Sequence, residues 1–275
     1  MDVPTAPRFS AERLARLADI ERRHFWFVGR RALVDKLLRK HTGDGARRVL
    51  DVGCGTGFMV DHLARRGYRP VGLDARPEGI LAMRRAQPGA LLLQSEASPL
   101  PFAPGSFDAA LLLDVLEHVD DRAALREVSR ALRTGGWIAL SVPALPWLWS
   151  YRDQAAGHLR RYTRQSLALV LSQAGLEIAE MRYYQCLLLP LAIATRALGR
   201  RGPRLRDLED WPRPIVNRIM TWINLLEVKL SDAIAWPWGS SLVAICRKGA
   251  HEAGLRPDAV FDSPRDYSAG SGGGG

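Results

Sequence analysis

Short apolar segments of strand length alternate, between residues 47 and 142, with segments whose apolar residues recur at helical spacing. The strand candidates are Arg47–Val52, Arg69–Asp74, Ala90–Gln94, Phe107–Val115 and Trp137–Val142, and the helix candidates are Phe58–Arg66, Pro77–Arg85 and Asp121–Leu132. Strands that are apolar at nearly every position must be covered on both faces, as in parallel sheets. The alternation therefore predicts a doubly wound α/β domain.

Glycine stands at every second position in the turn that follows the first strand candidate, VLDVGCGTG (Val49–Gly57). Glycine weakens strands and helices, but it permits a sharp turn and the close approach of a ligand to the backbone. Ligands of parallel sheets bind at the carboxyl ends of the strands, where this turn would lie. Phe58 occupies the third glycine position of the pattern GxGxxG, which disfavours a dinucleotide as the ligand.

Several motifs, in order over Val49–Pro143, resemble those of the class I S-adenosylmethionine (SAM)-dependent methyltransferases. They are VLDVGCGTG, the second-strand segment VGLD, SEASPLPFAPGSFDAALLLDVLEHV around the third and fourth strands, and LRTGGWIALSVP at the fifth strand. The resemblance implies SAM as the cofactor. It also implies a Rossmann-like, mostly parallel sheet of seven strands, with an N-terminal helical cap and a helical insertion before the last strand.

The resemblance implies a cofactor site built from the glycine turn and from acids at strand ends. Asp74 would accept hydrogen bonds from both ribose hydroxyls, Asp51 would face the methionine portion, and Glu96 would contact adenine. SAM has a positive sulfonium and no phosphate, so carboxylates suit it. The full predicted set is Asp51, Gly53, Cys54, Gly55, Gly57, Asp74, Ala75, Glu96, Ala97 and Asp114.

The segment DVLEHVDD (Asp114–Asp121) follows the fourth strand, where the resemblance places the reaction centre. His118 is the local candidate for a general base, because histidine titrates near neutral pH; a structural histidine at a helix start is the alternative. Asp114 and His158 complete the predicted catalytic set. Asp114, Glu117 and His118 also resemble the ExxEH stretch of ubiquinone-biosynthesis O-methyltransferases, which is linked to a cation, but the main prediction includes no metal.

A basic and aromatic cluster precedes the helix candidate Thr163–Ala174. The predicted acceptor-binding residues are Trp149, His158, Arg160, Arg161 and Tyr162. Two arginines, a histidine and a tyrosine suit a phosphate or carboxylate, and packing of the helix is the alternative. The GHxRRYT pattern resembles a bacterial subgroup that includes the ubiquinone-pathway enzymes, which implies a hydrophobic or lipid-linked acceptor.

The leading functional prediction is O-methylation of a hydrophobic or amphipathic acceptor that bears an anionic group. One alternative is N- or C-methylation of a soluble natural product, and another is a SAM-binding regulator without turnover. The basic residues are scattered, and no (N/D)PPY-like tetrapeptide follows the fourth strand, so no nucleic-acid partner is expected. The acceptor atom and the oligomeric state are not determined by the sequence.

The predicted organisation is a cap over residues 1–45, a core over 46–185, an insertion over 186–238, a last strand over 239–248 and a flexible tail over 249–275. The resemblance implies that an N-terminal helix closes over the cofactor, so Phe25, Trp26 and Arg30 are predicted to cover the cofactor opening; plain packing of the helix is the alternative. The segment Gly239–Lys248 resembles the seventh, antiparallel strand, which makes the preceding segment an insertion.

Within the insertion, Pro214–Trp236 is predicted to be one amphipathic helix. Its polar side carries Asn217, Arg218, Thr221, Asn224, Glu227 and Asp232, and its apolar side carries Ile219, Trp222, Ile223, Leu226, Leu230 and Ala233. A lid packed on the domain is the preferred interpretation, and a helix on a membrane interface is the other.

Composition limits the remaining possibilities. The formal net charge is +10, from 39 basic and 29 acidic side chains, which could favour an anionic partner. The three cysteines are widely spaced, which predicts reduced thiols.

No signal-peptide pattern begins the sequence, and the run Tyr183–Thr195 is shorter than the about 20 apolar residues of a spanning helix. The predicted location is the cytoplasm, with peripheral contact of 186–238 with the cytoplasmic face of a membrane as the further expectation.

Overall fold

A computed structural model describes residues 21–43, 48–77, 80, 81, 84, 89–198 and 212–249 of the 275-residue chain. Seven strands form one sheet: β1 (Arg48–Val52), β2 (Arg69–Asp74), β3 (Leu91–Gln94), β4 (Phe107–Leu113), β5 (Leu132–Pro143), β6 (Leu176–Tyr184) and β7 (Ser241–Lys248). Their order is β3-β2-β1-β4-β5-β7-β6. Strand β7 runs antiparallel to both of its neighbours, and the other pairs are parallel. The predicted fold class is confirmed.

The described helices are α1 (Phe25–Thr42), α2 (Phe58–Ala64), α3 (Asp121–Ala131), α4 (Tyr151–Ala156), α5 (Arg164–Gln173), α6 (Leu189–Leu198) and α7 (Pro214–Leu230), with short 3-10 turns at Leu116–His118 and Pro146–Leu148. Residues 77, 80, 81 and 84 are helical, and the rest of the helix predicted over 77–85 lies outside the described residues. The tail from residue 250 and the first 20 residues lie outside them as well.

The core has two layers because successive side chains of each strand point to opposite faces of the sheet. On one face, Leu50 and Leu112 pack with Leu125 of α3 and Leu171 of α5. On the other, Leu111 lies with residues of both α1 and α2, including Leu33, Leu37, Met59 and Leu63. Coverage of both faces explains why the central strands are apolar throughout.

Several predicted boundaries need correction: β4 ends at Leu113 rather than Val115, α2 ends at Ala64 rather than Arg66, and the largest shifts are in β5 and α7. Strand β5 begins at Leu132 rather than Trp137, because Leu132 pairs with Phe107 before a register shift. Helix α7 ends at Leu230 rather than Trp236; the following Ser231 donates its side-chain hydroxyl to the carbonyl of Val228. The sequence analysis also did not assign α6, whose Pro190 lies in the first helical turn, where proline is tolerated.

The orientation of α7 differs from the preferred prediction. Its polar residues Asn224 and Glu227 are buried against the domain, whereas Ile219 and Trp222 are exposed. The reason is that the side-chain amide of Asn224 donates to the carbonyl of Phe25, while Glu227 accepts hydrogen bonds from backbone N–H groups of the preceding connection. Ile219 and Trp222 of the predicted apolar side therefore do not pack on the protein, whereas Ile223 of the same side packs with Phe25 and Met220.

No described helix is both long enough and apolar enough to pass through a bilayer.

Helix α1 approaches its neighbours closely at Gly29. A Cβ atom there would lie 2.8 Å from the Cβ atom of Asn224 and would overlap the hydroxyl of Tyr184, which is buried in β6. Glycine at this position therefore sets how closely α1 packs on β6 and α7.

We expect Gly29→Ala to lower the free energy of unfolding by about 1–2 kcal/mol, because the overlap with Tyr184 puts the overpacking cost in the upper part of its usual range of about 1–3 kcal/mol, against a gain of about 1 kcal/mol in helix propensity. Urea denaturation measures the change. Gly89→Ala is the control, since a Cβ atom on Gly89 meets no atom within 4 Å. Equal stability of Gly29→Ala and the wild type would show that the contact is not tight in solution.

Candidate active site

The turn after β1 presents bare backbone at the carboxyl edge of the sheet. Gly53, Gly55 and Gly57 have φ angles of +70°, +55° and +75°, the left-handed region that glycine tolerates best. The N–H groups of Gly53 and Cys54 both donate to the carbonyl of Leu73, at 2.7 and 2.9 Å, which ties the turn to β2. A Cβ atom on Gly53 would collide with Val115, whereas Gly55 borders open space. A ligand can therefore lie on the backbone at Gly55.

Two carboxylates border this turn. Asp51 is 2% exposed, and its Oδ2 atom has no hydrogen-bond partner among the described residues. Burial raises the pKa of Asp51 to about 7, against the opposing effect of Arg30. Asp74 accepts hydrogen bonds from the N–H groups of Gly55 and Arg76, at 2.8 and 2.9 Å. A buried carboxylate with one oxygen that lacks a partner among the described residues is suited to a cationic ligand.

The remaining predicted cofactor residues lie at the same edge. The N–H of Ser95 donates to the carbonyl of Asp74 at 3.0 Å, which places the next residues, exposed Glu96 and buried Ala97, beside β2. Ala75 is exposed as well. The thiol of Cys54 packs in an apolar cluster, and burial raises its pKa, so only its backbone faces the turn.

Helix α1 closes over this edge through an ion pair between Arg30 and Asp114. Asp114 follows β4 with a φ angle of +57°, a conformation that is uncommon for residues other than glycine and that clusters at functional sites. The guanidinium of Arg30 also lies over the ring of Trp26, 4.4 Å from its centroid. Burial raises the pKa of Asp114, and Arg30 opposes this effect. The predicted role of Arg30 at the opening stays a prediction, but its pairing with Asp114 was not foreseen.

Glu21 is a further residue that the sequence analysis missed. Its carboxylate accepts a hydrogen bond from the hydroxyl of Thr56 in the glycine turn, and burial raises its pKa. The residue precedes α1 in an Arg-rich segment and carries no motif, so no sequence signal separated it from a surface acid. It adds a third carboxylate to the surroundings of the turn.

His158 is held by a buried carboxylate. Its Nδ1 atom lies 3.0 Å from Oδ1 of Asp153, and the same oxygen accepts a hydrogen bond from Arg161 at 2.7 Å. Burial alone would raise the pKa of Asp153, but the hydrogen bonds from His158 and Arg161 hold it well below its usual range. An ionised Asp153 accepts only, so Nδ1 carries a proton, and in the neutral imidazole Nε2 is then the acceptor.

Glu117, His118 and His158 form a cluster whose potential ligand atoms all lie within 4.8 Å of one another. Both carboxylate oxygens of Glu117 are buried without a hydrogen-bond partner among the described residues, and burial raises its pKa well above the usual range. Burial and then His158 lower the pKa of His118 to about 4. The three side chains could hold a divalent ion or share a proton. Asp114, the first residue of the ExxEH-like set, is instead paired with Arg30.

The predicted acceptor-binding residues divide into two groups. Arg161 donates to Asp153 and to the carbonyl of Ala144, and its side chain is 4% exposed. Tyr162 is buried and donates to Asp121. These contacts give both residues structural roles, and their role as acceptor contacts stays a prediction. Arg160, paired with Asp121 at 3.0 Å, and exposed Trp149 remain accessible.

Comparison with known proteins identifies the family. Residues 8–181, more than half of the chain, match the family described as "Methyltransferase domain". An uncharacterized methyltransferase of Mycobacterium bovis is 37% identical over 115 residues, which cover 42% of this chain and 44% of that protein. The chain thus spans less than half of the length of this relative. No comparison separates out the ubiquinone-biosynthesis subgroup, which stays a prediction.

One further sequence comparison and one structural comparison also lead to methyltransferases. A probable S-adenosylmethionine-dependent methyltransferase of Mycobacterium tuberculosis is 27% identical over 197 residues, 70% of this chain and 65% of that protein. A chain from the complex of the Haloferax volcanii Trm112 methyltransferase activator with a methyltransferase superposes with a TM-score of 0.59 at 20% identity, over 87% of this chain and 96% of that one, which concerns the fold alone. The chain belongs to the methyltransferase-domain family, and its seven-stranded sheet is the methyltransferase form of the Rossmann-like fold.

Proposed function

We propose that the protein transfers a methyl group from SAM to an oxygen atom of a hydrophobic or amphipathic acceptor that bears an anionic group. The observation that carries the proposal is the buried Oδ2 atom of Asp51, which has no hydrogen-bond partner among the described residues and belongs to the strand that leads into the open backbone at Gly55. When bound, SAM supplies an electrophilic methyl group on a positively charged sulfonium. The residues at the turn fit such a ligand because they offer carboxylates and bare backbone.

The charges around the turn favour a cation over a phosphate. Asp51 lies within electrostatic reach of Glu21 and Asp74; Arg30 is the cation that acts on Asp51, and Arg31 and Arg22 also act on Glu21. Arg30 is itself paired with Asp114, so its charge is largely matched. A cationic ligand would stabilise the ionised form of Asp51 and relieve the cost of burying that carboxylate.

We assign the general base to His158 rather than to the predicted His118. Asp153 orients the imidazole of His158 and leaves Nε2 to accept a proton, the arrangement of a histidine–carboxylate pair. Nε2 lies 3.9 Å from Oε1 of Glu117, so it faces the same cluster as His118. The lowered pKa of His118 makes it a weak base. A base is useful when a hydroxyl proton must leave, which favours O-methylation.

The surroundings of His158 suit an apolar acceptor with an anionic group. Trp147, Trp149 and Leu159 are exposed in the same connection between β5 and α5. Exposed large apolar side chains in one segment favour contact with an apolar ligand. Arg160 is a partly exposed cation in this connection and would contact the anionic group in exchange for its ion pair with Asp121.

We expect the affinity for SAM to rise between about pH 6 and about pH 8, because Asp51 with a pKa of about 7 becomes ionised over this range. Asp51→Asn should weaken binding at the higher pH by about tenfold to a hundredfold, the loss of one charged hydrogen bond. It should also remove most of the pH dependence. Calorimetric titration with SAM at the two pH values measures both effects.

Asp232→Asn is the control, since it removes an exposed carboxylate after α7 that pairs with Lys36 and Arg182. This variant should keep the wild-type affinity and its pH dependence. The same pH dependence in the wild type and in Asp51→Asn would contradict the role of Asp51.

We expect His158→Gln to lower kcat by about 10²–10⁴-fold with unchanged affinity for SAM, because it removes the base but not the cofactor site. His118→Gln should lower kcat much less. Acceptor-dependent formation of S-adenosylhomocysteine, measured with a panel of alkylated phenols and catechols, gives the comparison. A larger loss of kcat in His118→Gln than in His158→Gln would assign the general base to His118. Absence of turnover with every acceptor would favour the alternative of a SAM-binding regulator.

A further inference from the structure

The outward side of α7 is a continuous apolar and basic surface. Trp222, Ile215 and Ile219 are 66%, 62% and 54% exposed, and Leu225 is exposed beside them. At about 100° per residue, these positions fall within an arc of about 120° on the helix. We infer that this outward face of α7 binds the surface of an anionic lipid bilayer. The inference is independent of the proposed methyl transfer.

The inward side of α7 explains why the apolar face is left outward. The amide of Asn217 accepts from the N–H of Phe25 at 2.9 Å and donates to the carbonyl of Arg23 at 2.7 Å. Glu227 accepts from the N–H groups of Cys186 and Leu187, both at 3.0 Å. These hydrogen bonds satisfy backbone groups at the start of α1 and before α6, and they fix the rotation of α7 about its axis.

Charge complementarity identifies the occupant. Arg213, Arg218 and Lys229 are exposed on α7 or at its N-terminus. The acid within the helix, Glu227, is 1% exposed and points to the domain, so the described residues 212–230 present no carboxylate outward. Basic residues flanking an apolar face with tryptophan are typical of helices that lie in the headgroup region of anionic membranes.

The neighbouring α6 extends the same kind of surface. Leu187, Pro190 and Ile193 are exposed on or just before α6, while Leu188 packs with Phe25 and Met220 in a small apolar cluster. The cluster joins α1, α6 and α7. Exposed apolar residues therefore occur on both helices that this cluster joins, rather than on α7 alone.

The experiment is co-sedimentation of the full chain with vesicles of pure phosphatidylcholine, and with vesicles of equal parts phosphatidylcholine and phosphatidylglycerol. We expect the wild type to bind the second kind and to be released as salt rises from about 0.1 M to about 0.5 M, which shortens the Debye length. The double variant Ile219→Gln/Trp222→Gln, and separately Arg218→Glu/Lys229→Glu, should each lower the partition coefficient at least about tenfold.

Matched controls lie on helices that cover the opposite face of the sheet. Leu169→Gln replaces an exposed apolar residue of α5, and Arg122→Glu/Arg126→Glu reverses two exposed charges of α3. Both controls should bind like the wild type. Circular dichroism and SAM titration check that each variant is folded.

Three outcomes would overturn the inference. One is absence of binding to the anionic vesicles by the wild type. Another is an equal loss of binding in the control variants. The third is concentration-dependent self-association, seen by sedimentation velocity without lipid and abolished by Ile219→Gln/Trp222→Gln, which would make a second copy of the chain the occupant. The vesicle assay contains neither SAM nor acceptor, so its failure leaves the proposed function untouched.

Discussion

The parallel arrangement of β4, β1 and β2 is the constraint on which the site depends. Because parallel strands end at one edge of the sheet, the acids at or just after their carboxyl ends meet there although they lie far apart in the sequence. Asp51, Asp74 and Asp114 reach this edge on three different strands. The left-handed glycines between β1 and α2 keep the backbone bare beside these carboxylates. Acidic side chains and open backbone together suit a cation rather than a pyrophosphate.

The N-terminal helix connects this edge to the rest of the molecule. Arg30 pairs with Asp114 at the site, and a few residues earlier Phe25 exchanges backbone hydrogen bonds with the side chains of Asn217 and Asn224. Helix α1 therefore contacts both the candidate active site and α7. This arrangement gives the insertion a structural connection to the site, which its late position in the chain does not suggest.

The predicted reaction centre is partly retained and partly rearranged. His118 and His158 lie together, with their ring centroids 4.8 Å apart, as expected of residues that share one site. Asp153, which orients His158, was not foreseen, although Ser150 and Asp153 have the spacing of a helix capping box. That pattern predicts a helix start and says nothing of the histidine that follows. Arg161 donates a hydrogen bond to the same carboxylate. The basic residues that follow one another in the sequence are therefore not all free to bind a ligand in the structure.

The sequence by itself determined the fold class, the position of the glycine turn and the seventh strand. The fold class and the glycine turn depend on local patterns, namely apolar periodicity and the spacing of glycines, which are complete within short segments, whereas the seventh strand was predicted from the resemblance of Gly239–Lys248 to the last strand of the family. Only the tertiary structure decided the partners of Arg30, Asp153 and Glu227 and the direction in which α7 faces. A helical wheel separates two sides of a helix but does not say which one packs on the protein. That choice depends on backbone donors and acceptors supplied by segments distant in the sequence. In this protein those backbone groups form hydrogen bonds with the polar side of α7.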